Sequence, residues 1–125
     1  MTLDDLNTFC ASLPHSFRVI QWGDAHVWKI GTGARAKVFV IARTGDNGLA
    51  QVSFKCSSMS FDMLKDQPGL RPAPYLASRG MSWIQRTGND WIDDGTLQDY
   101  IRESFRLVSL GLTKVEQSRL GLNQG

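Results

Sequence analysis

The sequence has few of the side chains on which nucleophilic and metal-dependent chemistry usually rests. Its 125 residues contain only two cysteines, Cys10 and Cys56, and two histidines, His15 and His26. The two cysteines are far apart in the chain and both stand among apolar residues. In a reducing compartment this pattern favours two buried thiols over a disulfide.

The chain also lacks a long apolar run, a strong excess of one charge and an export signal. No apolar run approaches the roughly 20 residues that span a membrane. The net charge of +2 is too small to indicate a nucleic-acid partner by itself, so any basic function depends on clustering. The opening residues, MTLDDLNTFC, carry acids where a secretory signal carries basic residues. We therefore expect a soluble cytoplasmic protein without a membrane segment.

Candidate catalytic residues are few and poorly placed. His15 follows a proline that ends a predicted helix and His26 begins a predicted strand, positions typical of polar edge residues. Cys56 with His26 imitates a thiolate pair, but no third group is evident to orient it. The glycines of GTG at 31–33 join two predicted strands, whereas a dinucleotide fingerprint joins a strand to a helix. We predict no enzymatic activity and no cofactor.

The acidic residues favour helix capping over metal binding. Asp90, Asp93 and Asp94 precede a predicted helix, where carboxylates complement the helix dipole and cap its amides. Asp4 and Asp5 alone are too few for an acidic iron-binding ridge on the first helix. The sequence therefore predicts no metal site.

Two helices are predicted in the first half of the chain. Thr2 and Asp5 form a capping box before apolar residues at helical spacing, which predicts a helix over about Leu3 to Leu13. Residues 57–67, SSMSFDMLKDQ, begin with serines and end before Pro-Gly, which predicts a short helix. Its packed side is expected to carry Met59, Met63 and Leu64.

Two more capping boxes predict helices near the C-terminus. Thr96 with Asp99 begins a helix that ends at Gly111. Its apolar face carries Leu97, Ile101, Phe105 and Val108. Thr113 with Glu116 begins a last short helix that ends near Gly121.

Between the helices the pattern changes to period two. The predicted strands are FRVIQW (17–22), HVWKI (26–30), AKVFVIAR (36–43), AQVSFKC (50–56) and MSWIQRT (81–87). Short polar breaks between them indicate hairpins and therefore antiparallel neighbours. We predict an α+β fold in which the N- and C-terminal helices pack on one face of an antiparallel sheet. A single domain is expected over 1–121, with a frayed tail at 122–125.

Four stretches of the chain resemble one protein family. They are LDDLNTFCASLP, the SFKC strand end with the helix after it, PGLRPAPYLASRGMSWIQ, and LQDYIRESFRLVSLGLTK. In these stretches the sequence resembles the MmcQ/YjbR proteins, a family of small bacterial domains. Phe105 stands where the family commonly has tyrosine, and Thr113 where a proline usually precedes the lysine; both departures look structural. The resemblance implies a frataxin-like, double-wing fold and the DNA-binding description that the family carries, which rests on fold analogy.

The predicted sheet carries cations that could follow phosphates. They are Lys29, Arg35, Lys37, Arg43, Lys55 and Arg86. Alternation within ARAKVFVIAR places its cations on one side of the strand, which predicts a basic sheet face or rim. Phe39 and Ile41 lie on that same side, so the alternative is a covered strand centre with cations only at its solvated ends.

The segment RPAPY at 71–75 is predicted to form a stiff wing. Pro72 and Pro74 fix φ and bias the residues before them towards extended geometry. The segment and the strand after it contribute Arg71, Tyr75, Arg79 and Trp83 to the predicted binding surface. An exposed Tyr75 or Trp83 would stack on bases. The alternative is that Tyr75 and the leucine after it pack the helix onto the sheet.

Taken together, these patterns predict a monomeric, non-enzymatic protein that binds DNA or another nucleic acid weakly. The binding surface is the basic sheet face together with the 71–80 wing. The alternative is a protein-interaction or small-ligand module that uses the same surface through Tyr75 and Trp83. A contiguous positive surface favours nucleic acid, and an apolar cleft favours the alternative.

Overall fold

The strand-like runs of the sequence form one open antiparallel sheet. The computed structural model describes residues 1–125. The strands are β1 (Ser16–Gln21), β2 (Ala25–Ile30), β3 (Lys37–Thr44), β4 (Ala50–Lys55), β5 (Leu70–Pro72) and β6 (Trp83–Arg86). They lie in the order β1-β2-β3-β4-β6-β5, and every neighbouring pair is antiparallel. The α+β fold with an antiparallel sheet is therefore confirmed.

Strand β5 was predicted only as a stiff extended segment. It pairs with β6 and forms one edge of the sheet. Pro72 is tolerated there because proline has no N–H to give to a strand ladder, and an edge strand needs donors on one side only.

Four α-helices accompany the sheet. They are α1 (Leu3–Ala11), α2 (Ser58–Leu64), α3 (Asp94–Ser109) and α4 (Lys114–Leu120). The capping box of α1 is present, since Thr2 and Asp5 exchange side-chain to backbone hydrogen bonds. The Thr113 hydroxyl accepts a hydrogen bond from the Glu116 amide, and α4 ends at Gly121 as predicted. None of these helices is long and apolar enough to cross a membrane.

Three details of the helices differ from the prediction, the first being that α1 ends at Ala11, two residues before the predicted Leu13. Helix α3 begins three residues early, because Asp93 is its N-cap and accepts a 2.8 Å hydrogen bond from the Thr96 amide. Aspartate caps at least as well as threonine and also complements the helix dipole. In α2 the expected packed side is wrong, since Met59 and Met63 are exposed and Leu64 alone of the three is buried.

The helices pack against one face of the sheet, here called the helix face. Its cross-strand neighbours Trp28, Val40, Phe54 and Ile84 are all buried. Leu6 and Cys10 of α1 share this core with Leu97 and Ile101 of α3, so both terminal regions cover the same face as predicted. Further contacts come from Phe54 stacked on Tyr100 and from Phe39 packed edge-on against Phe105.

A β-bulge interrupts the alternation of β3. Trp28 pairs with Val40, but the next residue, Lys29, pairs with Val38, so Phe39 has no partner on β2. Phe39 and Val40 are consequently both buried on the helix face. Beyond the bulge the phase of the strand is reversed.

The bulge overturns part of the predicted basic face. Lys37 pairs with the core residue Ile30, and its side chain lies against Gly111 near the end of α3. Arg43, on the other side of the bulge, faces away from the helices. The prediction that both cations lie on one side of the strand is wrong, because it assumed unbroken alternation.

The packed part of the chain extends beyond the predicted boundary at residue 121. Leu122 is buried in the core. The Asn123 side-chain amide donates hydrogen bonds to Ser109 Oγ and Gln117 Oε1. Contacts of the domain therefore reach into the segment 122–125.

Candidate functional site

The face of the sheet opposite the helices, here called the outer face, carries a groove of about 620 Å³. Its floor is made by Ile41, Ser53 and Gln85, which are successive cross-strand neighbours on β3, β4 and β6. One wall comes from residues 74–79, in the connection between β5 and β6. The other includes Trp22 and Arg43. The groove is thus built from a rigid sheet and two connecting segments.

Two aromatic side chains stand at the groove and are open to solvent. Tyr75 is 85% exposed and Trp22 is 62% exposed. Two large exposed rings at one groove offer faces on which a flat aromatic group could stack. Tyr75 was a predicted site residue. The alternative in which Tyr75 packs the helix onto the sheet is wrong.

Both aromatic residues have left-handed backbone conformations. Tyr75 has φ of 67° and Trp22 has φ of 49°, a region that bulky residues rarely enter. The Leu76 amide donates a 2.8 Å hydrogen bond to the Pro74 carbonyl, so Tyr75 is the centre of a three-residue γ-turn. The Ser78 hydroxyl donates to the Tyr75 carbonyl at 2.6 Å and closes the turn. The tight local structure projects the ring away from the chain.

The charged side chains that line the groove are both cationic. Arg43 and Arg79 line it, and no carboxylate does. The Arg43 guanidinium donates to the Trp22 carbonyl at 3.2 Å and lies 3.4 Å from Asp24, which orients it. Arg79 is exposed and makes neither a side-chain hydrogen bond nor an ion pair. An anionic group entering the groove would therefore meet one oriented cation and one free cation.

Three further predicted cations lie on the outer face but do not line the groove. Arg71 pairs with Gln85 across β5 and β6, and its Nε donates to Gln85 Oε1 at 2.7 Å. Lys29 pairs with Val38, and Lys55 with Trp83, both on the outer face. Their ammonium groups have no carboxylate within ion-pair distance. Of the ten predicted residues, three line the groove (Arg43, Tyr75 and Arg79) and three more have solvent-accessible side chains elsewhere on the outer face (Lys29, Lys55 and Arg71).

The other four predicted residues lie elsewhere. Arg35 and Lys37 line a separate depression beside α4, together with Gly111 and Glu116. Trp83 faces the outer side of the sheet but is only 3% exposed. Its expected role as an exposed stacking ring is therefore wrong, since burial stabilises so large an aromatic group more than exposure does.

Arg86 is buried on the helix face and cannot reach a ligand on the outer face. Its guanidinium donates to the Ile92 carbonyl at 3.0 Å and to Asp94 Oδ1 at 2.8 Å. That hydrogen bond holds the pKa of the Asp94 carboxyl below its ordinary value. The Met1 amino group also lies 3.2 Å from Asp94. Arg86 therefore joins the start of α3 to the sheet instead of serving a binding surface.

Among the residues that line the groove, sequence reasoning named only Arg43, Tyr75 and Arg79 as site residues. Trp22 was not a predicted site residue; it is exposed, as is Trp91, whereas Trp28 is buried. The position of Trp22 directly before Gly23, in the turn between two strands, was a usable signal for exposure. Ser53 and Gln85 of the floor carried no such signal, because their importance depends on which segment folds over them.

The thiols are buried, and neither histidine lines the groove. Burial raises the pKa of Cys10 to about 12 and that of Cys56 to about 11, which opposes thiolate formation. His26 Nδ1 lies 3.1 Å from the Asn7 side-chain nitrogen, on the helix face. The structure contains no group of three or more His, Cys, Asp and Glu side chains arranged to hold a metal ion.

Comparisons with known proteins agree on one family. The model of the YjbR family matches residues 11–107. The crystal structure of Deinococcus radiodurans protein DR2400, which has a DUF419 domain, superposes with a TM-score of 0.84 at 25% sequence identity. The similarity covers 99% of this chain and 91% of that one, and DUF419 is the YjbR/MmcQ family. No curated protein matches the chain.

Proposed function

The chain belongs to the YjbR family, and from this membership and the outer-face groove we propose that it is a non-enzymatic protein that binds single-stranded nucleic acid weakly. One observation carries the proposal. Tyr75 and Trp22 are exposed at a groove that contains Arg43 and Arg79 and no carboxylate. Stacking rings combined with cations along a groove are the usual means of holding a single strand without strong sequence preference.

A single strand suits the groove better than a duplex does. Bases of a single strand are free to stack on Tyr75 and Trp22, whereas bases of a duplex are already stacked on each other. The five cations of the outer face allow only a few phosphate contacts, so we expect weak binding that depends strongly on salt.

A second candidate function uses the same groove. Its volume of about 620 Å³ lies within the range of small-molecule sites, and the apolar part of its lining includes Ile41 and Leu76. A protein-interaction or small-ligand module is therefore the alternative. The two candidates predict different salt dependences. Affinity for a nucleic acid should fall steeply with salt, whereas affinity for a protein or small ligand need not.

The proposal is tested by titrating labelled oligonucleotides at a series of salt concentrations. We expect tighter binding to single strands than to duplexes, with log K falling against log salt by about 0.7 for each single-strand phosphate neutralised. The double variant Arg43→Gln/Arg79→Gln should reduce this slope by about 1.4. The charge-matched control is Arg35→Gln/Lys37→Gln, whose cations lie beside α4, and its slope should stay unchanged. Undetectable binding at low salt, or equal effects of the two variants, would contradict the proposal.

The stacking role is tested separately by Tyr75→Ala. Loss of one ring that stacks on a base should weaken single-strand binding by about 1–3 kcal/mol. Trp91→Ala is the matched control, because Trp91 is also exposed but does not line the groove. If both substitutions weaken binding alike, Tyr75 has no specific stacking role.

A further inference from the structure

The floor of the groove carries hydrogen-bonding groups that the protein itself does not use. Ser53 is only 4% exposed, yet its hydroxyl makes no hydrogen bond in the structure. Its cross-strand neighbour Gln85 uses Oε1 to accept from Arg71, which leaves the Gln85 side-chain amide donors free. Gln51, two residues before Ser53, also lines the groove without a side-chain hydrogen bond.

The Ser53 hydroxyl and the Gln85 amide are not among the fully buried polar atoms, so both are open to a partner in the groove. Most buried polar side chains have a hydrogen-bond partner within the protein or in ordered water. Ser53 points away from the helices, because its neighbours Ile41 and Gln85 on both adjacent strands line the same groove. Its hydroxyl therefore faces the space that a ligand would occupy.

We propose that the groove is a subsite for one nucleotide, in which Ser53 and Gln85 contact the hydrogen-bonding edge of the base. Tyr75 supplies a face for the base to stack on, and the free guanidinium of Arg79 supplies a partner for the phosphate. The subsite rests on the proposed function and deepens it by assigning base recognition to the floor.

The chemistry of the lining favours a nucleotide over an apolar side chain of a protein partner. An apolar group seated on the floor would leave the Ser53 hydroxyl and the Gln85 amide without partners and away from water, which is unfavourable. A base presents carbonyl, ring-nitrogen and amino groups that match a hydroxyl and an amide. The nucleotide can come from a free nucleoside phosphate or from one residue of a strand, and both have this chemistry.

The test compares four nucleoside 5′-monophosphates with four single-stranded homo-oligonucleotides, each titrated into the full chain. The affinities for the best and the worst base should differ by about threefold to tenfold, as expected for one hydrogen bond more or less. Ser53→Ala should remove most of this difference. Ser58→Ala, which removes an exposed serine hydroxyl on α2, is the matched control and should leave it intact. Arg79→Gln should weaken binding of all four bases to a similar extent.

A second measurement does not depend on a variant. The side-chain amide signals of Gln85 should shift in NMR spectra when the preferred nucleotide binds. Preference among the monophosphates supports a free nucleotide as the source, and preference among the oligonucleotides alone supports a residue of a strand. Absence of preference in both sets, or a preference that Ser53→Ala leaves unchanged, overturns the subsite.

The two proposals fail in different ways. If oligonucleotides bind with a steep salt dependence but without base preference, the subsite is overturned and single-strand binding stands. If monophosphates bind with a base preference that Ser53→Ala removes, while oligonucleotides bind no better, the subsite stands and single-strand binding is overturned.

Discussion

The two faces of the sheet are made by the same strands but have opposite character. Across the helix face the neighbours Trp28, Val40, Phe54 and Ile84 are all apolar and buried. Across the outer face the side chains of the corresponding row change from apolar to polar to charged from one strand to the next. It runs Val27, Ile41, Ser53, Gln85, Arg71.

This difference separates stability from binding. Burial of apolar area on the helix face is the main source of stability, so its residues are constrained by packing. Most of the outer row contributes little to that burial, which leaves Ser53, Gln85 and Arg71 available for contact with a ligand. Four predictions test this comparison, in decreasing order of the effect expected.

The largest effect is expected on the helix face. Phe54 is fully buried, and its ring stacks on that of Tyr100 with the centroids 5.3 Å apart. Phe54→Ala therefore removes the packing of the ring in the core and its stacking on Tyr100, and leaves a cavity. The free energy of unfolding should fall by about 3–5 kcal/mol, measured by urea denaturation. On the outer face, Gln51→Ala should change it by no more than about 0.5 kcal/mol. If both substitutions lowered the free energy of unfolding equally, the outer face would contribute to stability as much as the helix face does.

Thiol reactivity gives a second contrast between the faces. Raising the pKa of Cys10 from 9.0 to about 12 lowers its thiolate fraction at neutral pH by about a thousandfold, and burial also blocks access. Neither Cys10 nor Cys56 should react with a thiol reagent at neutral pH until the protein unfolds. A cysteine introduced into the groove by Gln51→Cys should react rapidly in the folded protein. Rapid labelling of a native cysteine would contradict burial.

The left-handed conformation of Tyr75 predicts a smaller effect, on stability and binding together. Tyr75→Gly and Tyr75→Ala both remove the ring, but only glycine adopts φ of 67° without steric strain. The glycine variant should therefore be more stable than the alanine variant by about 1 kcal/mol in thermal or urea unfolding. Both variants should lose single-strand affinity to the same extent. Equal stabilities would indicate that position 75 is not strained.

The smallest effect is expected at Glu116, away from both rows. Its carboxylate accepts hydrogen bonds from Arg119 and from the Thr32 hydroxyl, which lower its pKa from 4.5 to about 2. Because the folded pKa is the lower one, this contribution to stability is present above about pH 4.5 and is lost as the pH falls towards 2. Glu116→Gln should therefore flatten the fall of stability in that range, measured by unfolding at a series of pH values. An unchanged pH profile would contradict the assignment.

Local patterns predicted most of the fold. The capping box at Thr2 and the five alternating runs depend on neighbouring residues alone, and the structure contains the corresponding elements. The β-bulge was not predictable, because the sequence does not reveal that Trp28 pairs with Val40 while Lys29 pairs with Val38. One unpaired residue was enough to place Lys37 and Arg43 on opposite faces of the sheet.

The candidate site was predictable only in part, for a similar reason. Arg43, Tyr75 and Arg79 were recognised from charge and from the stiff proline segment. Arg86 was wrongly predicted on the binding surface. Its burial depends on its partner Asp94 on another element, which the strand pattern around Arg86 does not reveal. The groove itself requires residues 74–79 to fold over strands β3, β4 and β6, and no local pattern encodes that contact.

The β-bulge at Phe39 also sets a rule for redesign of the protein. A designer who counts along β3 in steps of two from Arg43 would assign position 37, already a lysine, to the outer face, although Lys37 lies beside α4. The position that shares the outer face with Lys29 is 38, at present a valine. Val38→Lys would therefore add a cation next to Lys29 on the outer face, whereas deleting Phe39 would restore regular alternation and leave Lys37 paired with Ile30 on the helix face.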